Sequence, residues 1–445
     1  MKKGKLKAVF LVSLLMLLIL TGIAFSSISL EKEGSEGIVK EMDTSKERGQ
    51  DGTKIEEDQE ITGEKTVEES EIVLQEEPVF EEYDLQLMAV GDNLLHMGIV
   101  TTGKQEDGSY NFDFLFRGIE KYLSLAEIKI INQETILGGN ELGFSGYPLF
   151  NSPTQVGDSI EKAGFNVVLQ ASNHSADQGI KGLLHCVDFW KEKENILMVG
   201  IDEDSESTYE IPVLEVEGIK IAVLNYTYSP NMESVPKSIR GYLNILCEWD
   251  PDTGRIDFTK LNPQVVEDVK RAEEAADFTI VCPHWGTEYA TKPSEFQRDF
   301  AKQMTEAGAD LIIGTHPHVL QPVEWIEGDN GERALCFYSL GNYVSTQKDP
   351  LNLLEGMAWV TLRVKEDGIL IREENTGVLP LVCQYVGGSP RLEMVYSLDN
   401  YTEELAKEHG IVSYGGRPIK LEDLNKWSDE ILGEWELSSQ EIAAQ

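Results

Sequence analysis

The chain has 445 residues, 78 of them acidic and 38 basic, for a formal net charge of −40. That length fits one large domain with appendages better than three domains, and the charge, unrelieved by any basic stripe, excludes nucleic acid as a partner. An apolar share of 41% supports a sizeable core, and five cysteines are too few for a disulfide scaffold.

Lys2, Lys3, Lys5 and Lys7 precede Ala8–Phe25, a run without a charge. At 1.5 Å per residue such a helix spans roughly 27 Å, close to the ~30 Å of a bilayer core. The lysines predict a cytoplasmic tip over 1–7, a transmembrane anchor over 8–26, and everything beyond outside the cell. A cleavable signal peptide is the competing reading, with Gly22 and Ala24 as its small residues. Residues 31–84 carry 20 acidic and 6 basic side chains and almost no aromatics. Such a segment buries too little apolar area to offset its ordering entropy, which predicts a disordered acidic linker over 27–84.

A folded domain is expected over 85–385. Leu85–Gly91 alternates and then runs apolar, as a first core strand would. Short apolar runs recur at 128–132, 167–171, 196–199, 219–225, 278–283, 310–314 and 335–340. Between several of them lie amphipathic helices. Ile180, Leu183, Leu184, Val187 and Trp190 share one face; Pro263 opens a second helix; Phe296, Phe300 and Met304 mark a third, ended by Gly308. Residues 357–364 and 369–378 are expected as strands without an intervening helix. Leu421, Leu424, Trp427, Ile431 and Leu432 have helical spacing within a C-terminal helical extension over 386–445. The mixed order predicts an α/β architecture of layered sheets and helices.

Polar strings stand where the apolar runs end: Gly91-Asp92-Asn93, Asn132-Gln133-Glu134, Ser172-Asn173-His174, Pro283-His284-Trp285-Gly286 and Gly314-Thr315-His316-Pro317-His318. Strand ends feeding loops are where sites form in open α/β sheets. Four of the chain's seven histidines fall in these strings. Imidazole, carboxylate and amide oxygen together suit two divalent metals such as Mn, Fe or Zn. Two such ions, about 3.5–4 Å apart, can generate hydroxide and clamp a phosphoryl group. In a strand-like turn His316 and His318 would share a face and reach one cluster. Gly341-Asn342 reads as a tight turn needing positive φ, and the five cysteines as buried fillers.

These strings resemble the calcineurin-like metallophosphoesterases, with Leu94 in place of a first histidine and Asn132-Gln133-Glu134 in place of the second aspartate motif. Both departures resemble a narrower group, the CapA-type poly-γ-glutamate capsule synthesis proteins. Gly91-Asp92, Asn132 to Thr135, Asn173-His174 with Asp177 and Gly179, His284-Trp285-Gly286 with Glu288, Gly314 to His318, and Ser339-Leu340-Gly341-Asn342 follow that pattern in order.

The resemblance implies a four-layer α/β/β/α sandwich with two divalent metal ions held by Asp92, Glu134, Asn173, His284, His316 and His318. It implies His174 as general acid, with His96, Asn132, Asp177, Glu288 and Asn342 around the metals or substrate; His96 is a candidate for the missing histidine. It also implies a role in poly-γ-glutamate or cell-envelope polymer synthesis. That role is either metal-dependent hydrolysis or an accessory, polymer-binding part in a membrane complex, with the cytoplasmic membrane and other synthesis subunits as partners.

Overall fold

The alternation at Leu85 gives way to unbroken apolar residues because β1 (Tyr83–Asn93), a central strand, is buried on both faces from Leu87 onward. The computed structural model describes residues 80–204 and 210–444, so the expected anchor and nearly all of the acidic linker lie outside the described residues. Among the described residues no helix is long and apolar enough to cross a membrane.

After β1 come α1 (Met97–Gly103), α2 (Glu120–Leu123), β2 (Ile128–Asn132), α3 (Gln155–Ala163), β3 (Val167–Leu169), α4 (Gly179–Lys191) and β4 (Leu197–Val199). The four strands are parallel neighbours, each step taken through helix or loop, as parallel pairing requires. The chain then builds β5 (Val213–Val216), β6 (Ile219–Thr227), β7 (Cys247–Trp249), β8 (Ile256–Leu261), α5 (Pro263–Ala275), β9 (Phe278–His284), α6 (Glu295–Glu306), β10 (Leu311–Ile313), β11 (Val323–Glu327) and β12 (Arg333–Phe337). These form a second sheet in the order β11-β12-β10-β9-β6-β5, while β7 and β8 pair as a separate hairpin. β13 (Asn342–Val344), β14 (Leu354–Lys365), β15 (Gly368–Val386) and β16 (Arg391–Ser397) return to the first sheet, which runs β16-β15-β14-β1-β2-β3-β4 with β13 beside the end of β1.

The helix ends follow their capping chemistry. Asn262 accepts from Gln264 N ahead of Pro263, which opens α5. Ser294 and Gln297 form a reciprocal capping box for α6, so that helix starts just after Pro293. Gly308, at φ 113°, ends it. Phe300, Ala301 and Met304 of α6 are buried, and each of the larger two stabilises by about 1.5–3 kcal/mol.

The C-terminal part departs from a purely helical extension. β15 continues to Val386 and β16 pairs with it antiparallel, a register shift at Gln384/Tyr385 letting Leu392 as well as Val395 and Ser397 be buried. α7 (Glu403–Glu408), α8 (Leu421–Leu432) and α9 (Ser439–Ala443) follow. Leu424 and Leu432 face inward from α8.

One side chain ties the two sheets together. Oδ1 of Asn225, on β6, accepts from Ala171 N at 2.6 Å just after β3, and its Nδ2 donates to Cys282 O on β9 at 2.8 Å. All five cysteines are free and buried.

Candidate metal centre

The parallel strands of both sheets end at the same place. Asp92 ends β1, Glu134 follows β2, Asn173 and His174 follow β3, His284 ends β9, and His316 and His318 follow β10. β1 reaches this point because Gly91 lets the Ser339–Asn342 turn approach: a Cβ at Gly91 would lie 2.0 Å from Gly341 O. Gly341 itself has φ 67°, the turn conformation expected there.

Asp92 is fully buried. Its Oδ1 accepts from Asn132 Nδ2 at 2.8 Å, and its Oδ2 lies 3.0 Å from Nδ1 of His318. Asn342 Oδ1 is also 3.0 Å from that nitrogen. Oε1 of Glu134 lies 3.8 Å from Nε2 of His318 and 3.9 Å from Nε2 of His174. Donor atoms of Asp92, Glu134 and His318 all fall within 4.8 Å of one another, as do those of Glu288, His316 and His318. His318 therefore belongs to both groups. Nε2 of His284 lies 2.9 Å from Asn173 Oδ1, Nδ1 of His284 lies 2.9 Å from Thr315 Oγ1, and the His284 and His316 rings are 4.8 Å apart. The six residues expected to ligate are thus gathered in one place; of the histidine and carboxylate donors among them His284 is in neither group, whereas Glu288, expected around the site, is in one.

The two histidines of the last string do not alternate as in a strand. His316 has φ 98° and His318 φ 57°, both left-handed, on either side of Pro317. Such backbone is costly for these residues and collects at functional sites. It sends the two rings to different neighbours, His316 toward His284 and Tyr228 and His318 toward Asp92 and Glu134.

The electrostatics suit a cation. Both oxygens of Glu134 and Nδ1 of His316 are buried without a hydrogen-bond partner, which native interiors rarely leave so. Burial first, then the charge of Asp92, pushes the Glu134 carboxyl well up. Burial and the neighbouring imidazoles hold His284 and His316 well below their usual range, so both rings are neutral. Burial opposes charge on His318 too, but Glu134 and the Asp92 hydrogen bond outweigh it and lift this imidazole to about 9. A divalent ion would displace that proton and satisfy the orphaned atoms, so the donor set fits a metal.

His174 stands apart from the donor groups. Its Nδ1 is 2.8 Å from Asp177 Oδ2, which also accepts from Phe150 N at 2.7 Å. The Phe150 ring packs edge-on against it at 4.7 Å. His96 caps α1, accepts from Thr346 N through Nδ1 at 3.3 Å and belongs to neither donor group. Its burial, with His318 nearby, lowers it to about 4. Leu94 is buried.

Sequence reasoning missed several neighbours. Thr315 and Tyr228 touch His284 and His316, and Asn231 Oδ1 accepts from Asn173 Nδ2 at 3.0 Å. Thr315 lay within a quoted string, whereas Asn231 sits in an unmarked loop. Glu355 on β14 is fully buried with both carboxylate oxygens unpartnered; burial and then Asp92 push its carboxyl well up. Nothing in its apolar strand announces it.

The arrangement has the donors to hold divalent metal and, at its edge, an imidazole in contact with a carboxylate. The protein is similar to the capsule biosynthesis protein CapA of Bacillus anthracis, 28% identical over 316 residues that cover 69% of each chain. It is 33% identical over 190 residues to the PGA biosynthesis protein CapA of Bacillus subtilis strain 168, covering 42% of this chain and 44% of that one. Among solved structures, a hypothetical protein from Thermus thermophilus superposes with a TM-score of 0.37 at 15% identity, over 66% of this chain and 99% of that one. The family described as bacterial capsule synthesis protein PGA_cap matches residues 86–347. That stretch runs from β1 to just beyond Asn342 and takes in both donor groups and His174, and the chain belongs to the bacterial capsule synthesis protein PGA_cap family.

Proposed function

We propose that the protein is a membrane-anchored, extracellular metal-dependent hydrolase that takes part in making poly-γ-glutamate capsule or a related envelope polymer. Its two sheets would be the inner layers of a four-layer α/β/β/α sandwich, the amphipathic helices covering their outer faces. The observation that carries the reading is the set of buried, unpartnered donor atoms on Glu134 and His316, among neutral imidazoles at converging strand ends. Asp92, Glu134 and His318 would hold one ion, and His316, with Glu288, His284 and Asn173, a second. Bound divalent ions supply Lewis acidity and lower the pKa of water. His174, oriented by Asp177, delivers a proton to the leaving oxygen. Asn132 and Asn342 fix Asp92 and His318 through hydrogen bonds.

The anchor and outward orientation rest on the uncharged run after four lysines, and the membrane with other polymer-synthesis subunits would be the partners. A reporter fused after residue 84 should be membrane-bound and outside the cell; its release as a free product would show cleavage instead. The catalytic part is tested by metal analysis of the purified full-length protein together with phosphodiester turnover in added Mn²⁺. Stoichiometric metal with turnover is expected. Metal without turnover, and a His174→Ala variant that still supports polymer synthesis, would favour the accessory, polymer-binding role.

A further inference from the structure

Beside His318 lies a cavity of about 640 Å³ that the site residues described so far do not line. Its walls include Tyr289, Gln347, Lys348, Asp349, Arg417 and Trp427. Two links join it to the metal centre. The Tyr289 ring lies 6.0 Å from that of His318, and Gln347 Oε1 accepts at 3.0 Å from Nδ2 of Asn342, the residue whose Oδ1 touches His318. The far wall comes from outside the family match, which stops at residue 347. Trp427 stands half-buried on α8, fixed there by the buried Leu424 and Leu432.

The charge in this cavity is unusual for the chain. Against an overall −40 it holds two cations and one carboxylate. Arg417 is gripped by both oxygens of Asp349 and so is locally neutralised. The Lys348 ammonium lies 4.3 Å over the Tyr414 ring and pairs with no carboxylate among the described residues. What remains is one exposed positive charge, Lys348, on a cavity whose wall also carries the Tyr289 and Trp427 side chains. A single uncompensated cation matches a monoanion, and aromatic faces match the short apolar spacer that carries it. A phosphate dianion would be left half-neutralised.

We infer that this cavity is a positioning subsite that takes one carboxylate-bearing unit of an anionic polyamide chain and sets the adjoining unit at His318. The inference builds on the proposed envelope-polymer function and adds the place where the chain is gripped, a place the C-terminal segment supplies.

The test is binding of a short fluorescent γ-linked glutamate oligomer to the full-length protein, with metal content and melting temperature measured in parallel. Lys348→Glu and Trp427→Ala should each weaken binding about tenfold, the scale of an anchor residue at an interface, with metal unchanged in both and melting temperature unchanged in Lys348→Glu, Trp427 being packed against the core. Lys426→Glu, on the same helix outside the cavity, should leave binding within about twofold. The subsite is overturned if the cavity variants bind like the parent, if Lys426→Glu weakens binding as much, or if polyphosphate of equal length binds as tightly. Metal loading and phosphodiester turnover without oligomer binding would also overturn it, while the hydrolase reading stands. Lys348-dependent binding by a protein that takes up no metal would keep the subsite and remove the hydrolase.

Discussion

Asp177 Oδ2 lies 2.8 Å from Nδ1 of His174 and takes a second hydrogen bond, at 2.7 Å, from the backbone N–H of Phe150. A carboxylate only accepts, so Nδ1 carries a proton that stays with Asp177, and the proton for a leaving oxygen would be a second one on Nε2, the atom that faces Glu134, 3.9 Å away. The ring is thereby fixed at the edge of the cluster without being one of its grouped donors. His174→Ala should keep bound metal and melting temperature while turnover falls about 10²–10⁴-fold, the usual contribution of a general acid. Asp177→Asn should show a smaller loss, since the ring remains but its orientation loosens. Loss of metal from His174→Ala would make it a ligand instead.

Metal should be visible in stability before any substrate is known. Added Mn²⁺ at a hundredfold excess over its dissociation constant should stabilise the parent by about 2.7 kcal/mol. His318 falls in both donor groups and His316 in only one, so His318→Ala should remove more of that rise than His316→Ala. Equal metal content and equal melting shifts in parent and both variants would sink the assignment.

Asp310 should give the fold a measurable pH dependence away from the cluster. Burial pushes its carboxyl up to about 7, against the pull of the Thr279 N–H donated to it at 2.7 Å. The folded state then binds more protons here than the unfolded state, so the stabilisation present below about pH 4 is lost as pH rises through about 7. Asp310→Asn keeps an acceptor for Thr279 and removes the titration. Urea midpoints of variant and parent should therefore diverge in the variant's favour between pH 4 and 8; parallel curves would refute the argument.

Gly91 is a packing requirement that can be tested alone. With Gly341 O 2.0 Å from where a Cβ would sit, Gly91→Ala must push β1 and the Ser339–Asn342 turn apart. A loss of about 1–3 kcal/mol or more is expected in urea unfolding. Metal affinity should fall as well, because Asp92 and Asn342 are register partners at that point.

Much of this protein was legible in the chain itself. The apolar runs at 128–132, 219–225 and 278–283 became β2, β6 and β9, because these strands are buried on both faces. The strings at the ends of β2 and β9 were legible as site residues because donor side chains at strand ends have few structural uses. Tertiary structure alone decided the rest. β16 joined the sheet through an alternation too short to stand out beside the helical spacing of α8. The His316 and His318 rings turn to different neighbours while staying in one donor group, because both residues take left-handed backbone around Pro317, which spacing cannot encode. Glu288 entered a donor group, and Asn231 and Glu355 came to the centre, through contacts between segments far apart in sequence. Hydrophobic periodicity records which face of an element is buried; it holds no information on which distant loop will lie against it.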